Sequence, residues 1–492
     1  MSPDKPNIIM IVSDQHRGDW MGCSGSRIVN TPHMDRMAAG GVRFTRAYCN
    51  SPLCVPSRMS MLTGRLPVHT GVHHNNDMLG SDIPTMAHAL GLGGYETVLC
   101  GRMHFVGPDQ RHGYQRRLVG DITDSYLGGP KTPYGDLEGT AGQGLTSVRK
   151  AGPGTSPVHQ YDEQVLTAWE KFLTERKHDQ ENPLFLTIGF YGPHHPYVCP
   201  PELYKESLTA MRQYDTLVPK DDHPRHPWLD HWFERLRADD IDPAQLHVAR
   251  ACYAGNISLL DRYIGRILNA VESLPGDTWV IYTSDHGDMA GDRGMFWKRS
   301  FYEGAIRIPL IFYPLQLNHS SYKVAKGSTI HEPVSLLDLA PTLVAMTSSP
   351  DMPQGDGDDI SPLLNGETFT VSDLERWRNR PILVELANQE DSAIRAVVYG
   401  DKKLVVYYGY EPVQLFNLSE DPFEKRNLAE DTEYQDMRNT MLEIATKGWN
   451  ASDILSHLYE KRMDVQYLTK WGREVGMGPL DLWNYSQRVD HI

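Results

Sequence analysis

The sequence predicts an α/β protein in which a central, mostly parallel sheet is flanked by helices. A smaller C-terminal α+β part carries an antiparallel sheet. Three observations support this. The continuous apolar runs NIIMIV (7–12), LFLTIGF (184–190) and TWVIYT (278–283) suit strands buried on both faces. Between them, helical and strand-like stretches alternate, as in a sheet with helical crossovers. Beyond an Asp-, Gly- and Pro-rich segment at 350–366, IRAVVYG, KKLVVYY and VQLFNL are short alternating runs separated by tight turns, the pattern of antiparallel pairing. The expected division is an N-terminal domain over 1–365 and a C-terminal subdomain over 366–492. The latter holds the antiparallel sheet, a helix and an aromatic tail of the kind that makes oligomer contacts.

Taken in order, NIIMIV ends in Ser13-Asp14-Gln15-His16. In open α/β sheets ligands collect beyond the carboxyl ends of strands, so Asp14 and Gln15 stand where a site would lie. TPHMDRMAAGG reads as a helix closed by glycine, and SDIPTMAHALGLGG as another. YETVL is a strand leading to Cys100-Gly101-Arg102-Met103-His104. From 106 to 157 the chain is rich in Gly, Pro, Thr and Asp and reads as a long irregular insertion at the site mouth. Residues 160–177 read as helix, and LFLTIGF ends in Gly192-Pro193-His194-His195-Pro196. Residues 218–230 read as turn-rich, and Pro243–Leu274 as a long helix. TWVIYT ends in Ser284-Asp285-His286-Gly287-Asp288, a second acidic strand end to match the first. RIPLIFY is a further strand, HEPVSLLDLAPTLVAM a turn and a helix, and 428–460 helix again.

The 492 residues exceed one ordinary core, and 40% hydrophobic with 23% charged residues is usual for a globular enzyme. A net charge of −15 argues against a nucleic-acid or anionic-membrane partner. Six cysteines without C-x-x-C spacing fit a reducing compartment. The N-terminus lacks the basic and long apolar regions of a leader, and no segment approaches the length of a membrane span. A cytoplasmic protein is expected.

The most informative stretch is Cys54 to Arg65, CVPSRMSMLTGR. Pro56 suits the first turn of a helix, which sets Cys54 at a helix N-terminus, where free amides favour an anion, with Arg58 one turn on. A lone cysteine is most often an inert buried thiol. A low-pKa nucleophilic thiolate is a second reading, but Cys54 and Arg58 stand closer than in a thiol phosphatase loop. The third reading is specific: C-x-P-S-R followed by LTGR resembles the signature of type I sulfatases, whose cysteine is oxidised to the aldehyde formylglycine. PNIIMIVSDQ, GRMHF, PHHP, TSDHGD with GMFWK, LLDLAPTL and LFNLSEDPFEKRNL also resemble their counterparts, in the same order, in sulfatases of the alkaline phosphatase superfamily. GRMHFVGPDQRHG and SDHGDMAGDRGMFWKRSFYEG look closest to the choline sulfatase branch.

The resemblance implies an alkaline-phosphatase-like fold, a sulfuric ester hydrolase activity and a metal site of Asp14, Gln15, Asp285 and His286 around the residue derived from Cys54. Oxygen-rich ligands suit one hard divalent ion. Many relatives carry Asp at the place of Gln15 and Asn at that of His286, which shifts the expectation from Ca²⁺ alone to Ca²⁺ or Mn²⁺, with Mg²⁺ and zinc left open. By the same resemblance Arg58 orients the aldehyde hydrate, Arg102 and Lys298 clamp sulfuryl oxygens, His104 takes a proton from the hydrate and His194 protonates the leaving oxygen. His195 competes for that last role, and Asn75 is a candidate donor to a sulfuryl oxygen. Position after buried strands singles out His104, His194 and His286, whereas His16, His112 and His223 lack such support and read as structural.

Expected partners are a small sulfate ester, choline sulfate or a sulfated sugar, and an enzyme that matures Cys54. No nucleic acid or membrane is expected, and assembly as a homodimer or homotetramer is. A choline pocket needs aromatic faces or carboxylates. The insertion has no tryptophan, so a cage there would rest on Tyr114, Tyr126 and Tyr134. Phosphonate or phosphate ester hydrolysis on the same scaffold, and non-catalytic anion binding by an unmodified Cys54, are the competing functions.

Overall fold

The computed structural model describes residues 5–475 except 124–125, 130, 177–181, 221, 223, 237–239, 318–323, 366–370 and 389–391. His223, the tail aromatics Trp483 and Tyr485 and the boundary drawn after 365 fall on or against residues outside this set.

Among the described residues eleven strands precede the 350–366 segment: β1 (Asn7–Asp14), β2 (Val42–Tyr48), β3 (Glu96–Gly101), β4 (Arg116–Arg117), β5 (Gly152–Pro153), β6 (Leu184–Pro193), β7 (Val198–Cys199), β8 (Thr278–Ser284), β9 (Arg307–Gln316), β10 (Ser328–Ile330) and β11 (Val334–Ser335). Nine of them form one sheet in the order β10-β2-β9-β8-β1-β6-β3-β4, with β11 also on β2. β8, β1, β6, β3 and β4 run parallel; β9 is antiparallel to both its neighbours. The sheet is thus mostly parallel, and its three central runs are buried on both faces. The helices Pro157–Glu175 and Pro243–Val271 cover it.

Four adjacent parallel strands end on the same edge. β8 delivers Asp285 and His286, β1 Asp14 and Gln15, β6 His194 and His195, β3 Arg102 and His104. The close passage of β3 past β6 needs glycine, because a Cβ on Gly189 would collide with the carbonyl of Arg102.

β12 (Ile382–Asn388), β13 (Ser392–Tyr399), β14 (Lys402–Tyr407) and β15 (Gln414–Asn417) form an antiparallel meander. The helices Gln435–Thr446 and Ala451–Val475 pack against it. It docks beside the Cys54 stretch: Glu385 N–H donates to the Asn50 carbonyl at 2.9 Å and Asn50 Nδ2 to the Leu383 carbonyl at 3.0 Å. One buried cluster runs from Ile8 and Met10 to Val384, Val398 and Phe416.

Two stretches differ from the sequence reading. The segment read as turn-rich over 218–230 contains the start of a helix, Pro227–Leu236, because its proline occupies the first turn, where no amide hydrogen is needed. β2 and β12 were not expected as strands. VRFTRAY places arginines on a face that is only partly covered, which breaks the apolar run without preventing pairing.

Candidate active site

Cys54 is the first residue of the helix Cys54–Thr63, and its N-terminal turn is completed by Asn75, whose Oδ1 accepts from Val55 N–H at 3.0 Å. Its thiol stands where the aldehyde oxygens of a formylglycine would be. Around it, one donor atom each from Asp14, Cys54, Asp285 and His286 lie within 4.8 Å of one another, all buried. Asp14 Oδ2 is held by Arg102 Nε at 2.6 Å and Arg58 Nη2 at 3.2 Å, which leaves Oδ1 facing the group. His286 Nδ1 donates to its neighbour's carbonyl, Gly287 O, at 3.0 Å, which turns Nε2 inward, 3.2 Å from Cys54 Sγ and 3.7 Å from Asp14 Oδ1. Against the effect of burial, Asp285 raises the pKa of the imidazole, and a divalent ion in the group would take the Nε2 lone pair in place of a proton. Two buried carboxylates and an imidazole locked with its free nitrogen inward are a donor set that fits a divalent cation.

Lys298 Nζ spends its three hydrogens on Gln15 Oε1 at 2.7 Å, His194 Nε2 at 2.9 Å and Cys54 Sγ at 3.1 Å. His194 Nδ1 donates to the carbonyl of His195 at 2.6 Å, which fixes Nε2 as the acceptor. His195 stacks on His194 at 3.8 Å and its Nδ1 faces Gln15 Nε2 at 3.2 Å. The Gln15 amide also donates to Asp288 Oδ2 at 2.5 Å, so in this structure both ends of its side chain are engaged.

Arg58 lies beneath the group. Nε donates to Asp285 Oδ2 at 2.8 Å and Nη2 to Asp14, joining the two acids rather than reaching the cavity. Arg102 lines the cavity, yet four of its five N–H donors point to Asp14, to Asp121 at 2.8 Å, to Thr123 at 3.0 Å and to His104 Nδ1 at 2.8 Å. A guanidinium only donates, so His104 carries its hydrogen on Nε2 here.

Burial pushes the Cys54 thiol up, but the positive charges of Lys298 and His286 and a hydrogen bond from His104 hold it well below an ordinary thiol. Burial and the Cys54 charge likewise push Asp14 up, and Arg102 and Lys298 outweigh them and hold it well below the usual carboxylate range. Asp285 moves the other way, raised by burial and by Asp14 in spite of Arg58. Burial and Lys298 depress His194 to about 4, so it is neutral near pH 7.

Several residues here carry left-handed backbone: Gln15 (φ 70°), His104 (φ 60°), Trp297 (φ 67°) and Arg299 (φ 69°). Such strain in non-glycine residues gathers at functional sites. Asp288 sustains part of it, accepting from Ala290 N–H at 2.7 Å and Trp297 N–H at 2.9 Å.

An open cavity of about 380 Å³ lies over Cys54, walled by Arg102, His104, His194, His195 and Lys298 together with Asn75, Thr123, Gln143, Tyr191, Trp232, Arg235 and Arg299. Ala141, Gly142 and Gln143 come from the 106–157 insertion, as its position at the site mouth predicts. Trp232, Arg235, Arg299, Asp121 and Asp288 were not singled out from the sequence. Only the acidic TSDHGD context offered a signal, for Asp288. The tyrosines considered for an aromatic cage lie elsewhere: Tyr114 is buried against Phe185 and Thr187, and Tyr126 faces Trp471. His16 is structural, bonded to Tyr282 Oη at 2.5 Å and the Trp20 carbonyl at 3.0 Å, and His112 packs against Phe105.

Strand ends that bring a buried, metal-ready acid cluster beneath a cationic cavity define a hydrolase of anionic esters on an alkaline-phosphatase-like fold. The family model described as sulfatase matches residues 6–349, and one described as N-sulphoglucosamine sulphohydrolase, C-terminal, matches 291–447. The chain belongs to the sulfatase family and is a sulfuric ester hydrolase. It is 32% identical over 473 residues to a choline-sulfatase of Rhizobium meliloti, covering 89% of this chain and 87% of that one. It is 30% identical over 481 residues to an arylsulfatase of Clostridium perfringens, covering 90% and 94%. Its fold is similar to that of the phosphonate monoester hydrolase of Agrobacterium radiobacter, with a TM-score of 0.73 at 22% identity over 94% and 96% of the two chains.

Proposed function

We propose that this sulfatase cleaves the sulfate monoester of a sugar-type alcohol bound in the cavity over Cys54, after Cys54 is oxidised to formylglycine. The observation that carries this reading is the chemistry of the cavity wall: among the described residues it presents guanidinium, ammonium, imidazole and amide groups and no carboxylate. A sulfuryl group is welcome there; a quaternary ammonium is not, because no described wall residue carries a carboxylate and the two aromatic rings of the wall, Tyr191 and Trp232, already lie beside the guanidinium groups of Arg102 and Arg299.

A converted Cys54 would supply a hydrated aldehyde as nucleophile. Asp14, Asp285 and His286, with Gln15 alongside, would hold one divalent ion, Ca²⁺ or Mn²⁺ by their mixed oxygen and nitrogen donors, that lowers the pKa of a bound hydroxyl. The chain's own groups do the rest. Lys298 faces position 54 with an ammonium that neutralises charge on the sulfuryl oxygens. His194, neutral and accepting from Lys298, passes that proton on to the leaving oxygen. His104 Nε2 faces position 54 as a donor; taking a proton there requires it to release Arg102. Arg58 and Arg102 act as positioning residues through Asp14, and Arg102 keeps one N–H for the substrate. Asn75 and His195 contact substrate from the cavity wall.

A cytoplasmic location, supported by six free thiols, belongs to the same reading. So do maturation by a formylglycine-generating enzyme and assembly as a homodimer or homotetramer. Among the described residues no helix is long and apolar enough to cross a membrane.

The test is a kcat/KM panel of 4-nitrophenyl sulfate, choline sulfate, a galactose monosulfate, an aryl phosphonate monoester and a phosphate diester, with Cys54→Ala as control. The sample's intact mass must first show a loss of roughly 18 Da at Cys54, the thiol-to-aldehyde difference. We expect the sugar sulfate to lead. Negligible sulfate turnover beside fast phosphonate turnover would hand the site to the phosphonate reading, whose substrate the same wall would accept. Turnover of nothing by an unconverted natural sample would leave an anion-binding protein.

A further inference from the structure

Arg299, a half-buried arginine whose Nε is fully buried, is built unlike the paired arginines of this protein. Arg17 pairs with Asp292 at 2.9 Å, Arg250 with Asp215 at 2.8 Å, and Arg395 with Glu385. Among the described residues no carboxylate lies within ion-pair distance of Arg299, its Nε is buried without a hydrogen-bond partner, and its Nη2 reaches only His74 Nε2 at 3.5 Å. Its backbone is nevertheless held firmly. The φ of 69° is strained for arginine, and its N–H donates to the Pro52 carbonyl at 3.2 Å, two residues before Cys54. A cation desolvated and fixed in this way without a counter-charge is expensive to keep unless an anion arrives.

Its surroundings show where that anion would sit. The guanidinium lies 5.9 Å over the Trp232 ring, and Arg235, one turn along the same helix, lies 5.8 Å from that ring. Trp232 in turn stacks on Trp228, whose Nε1 donates to Ser392 Oγ at 3.0 Å and so ties the helix to the C-terminal sheet. Arg299, Arg235 and Trp232 all line the cavity that Cys54 and Lys298 also line. At about 380 Å³ the cavity has room for a sugar ring as well as a sulfate.

Building on the sulfatase reading above, we propose that Arg299 and Arg235 bind a second anionic group, a carboxylate or another sulfate, on the same carbohydrate. The substrate class is then a polyanionic sulfated sugar, with Trp232 as the apolar side of the subsite.

The experiment compares converted, metal-loaded wild type with Arg299→Gln, Arg299→Lys and Arg235→Gln on three sugars: a galactose monosulfate, a galactose disulfate and a sulfated glucuronate. The expected wild-type preference for the two dianions in kcat/KM is at least tenfold, carried by KM. Arg299→Gln shrinks it below threefold, Arg235→Gln shrinks it partly, and Arg299→Lys restores part of it. Whichever dianion gains more identifies sulfate or carboxylate as the bound group. No preference in wild type, or a ratio that Arg299→Gln leaves intact whatever happens to absolute rate, overturns the proposal. Calorimetric binding of the same sugars to Cys54→Ala separates the two levels of inference. Arg299-dependent binding of a dianion by that inert protein supports the subsite even where sulfate turnover fails; equal binding of mono- and dianion overturns the subsite even where turnover succeeds.

Discussion

Lys298 Nζ lies 2.9 Å from His194 Nε2, and His194 Nδ1 already donates to the backbone at His195. The imidazole therefore has no proton of its own to give on the substrate side. With His194 depressed to about 4 by burial and by Lys298, the proton that reaches the leaving oxygen near pH 7 starts on the lysine. Lys298→Ala should lower kcat by about 10²–10³, the range for losing a positioned acid and a charge partner. The loss should be greater for an alkyl sulfate than for 4-nitrophenyl sulfate, whose leaving group needs little protonation. Equal losses on both would assign Lys298 to sulfuryl binding alone.

Arg58 is wholly buried and holds Asp14 at 3.2 Å and Asp285 at 2.8 Å. Removing it leaves two carboxylates facing each other with one cation fewer. Arg58→Met should cost about 3–5 kcal/mol, as for other broken buried ion pairs. Because a divalent ion compensates the same charges, the drop in Tm should be larger in chelator-treated protein than with 1 mM Ca²⁺. A drop indifferent to the metal would place the ion elsewhere.

Metal removal tests the cluster directly. Dialysis against a chelator should abolish sulfate turnover, and elemental analysis of the restored enzyme should find one divalent ion per chain. Binding to the folded state alone raises stability by about 2.7 kcal/mol at a hundredfold excess over Kd, read as a higher Tm. Asp285→Asn should weaken that shift. Full activity in chelator-treated protein with no residual metal would reject the site.

The wall that carries Trp232 and Arg235 depends on a neutral histidine. His226 Nε2 donates to the Pro412 carbonyl at 3.0 Å, and its Nδ1 accepts from Trp228 N–H at 3.2 Å, near the start of the helix Pro227–Leu236. Burial lowers its pKa below the ordinary imidazole value despite the Pro412 hydrogen bond. The unfolded chain then binds the proton more readily, so the stability His226 contributes is complete above the ordinary histidine pKa and is lost as pH falls toward the lowered one. His226→Asn, which accepts without titrating, should narrow its Tm gap to wild type as pH falls below about 6.5. A gap that does not change with pH would show that His226 does not titrate in this range.

Runs of apolar residues, a proline one turn into a helix and polar clusters at strand ends are local signals. They were enough to name the strands β1, β3, β6 and β8, the helix at Cys54 and, as strand-end candidates, Asp14, Asp285, His286, His104 and His194, whereas Lys298 was drawn in only by the family resemblance of GMFWK. Periodicity and capping act over a few residues, so a single chain displays them. The helix Pro227–Leu236 was hidden because prolines and histidines read locally as turns, while the burial of its tryptophans against β13 is invisible along the chain.

What only the tertiary structure decided is which charged groups face which. Arg102 is drawn to Asp121 and His104, and Arg58 joins two acids 271 residues apart in sequence (285 − 14) instead of reaching for substrate. Among the described residues Arg299 is left without a counter-charge beside Trp232. These outcomes depend on distances between strand ends and on desolvation, both created by packing. Sequence by itself therefore determined the fold class and the kind of chemistry, and the assembled edge of the sheet decided how charge is shared within it.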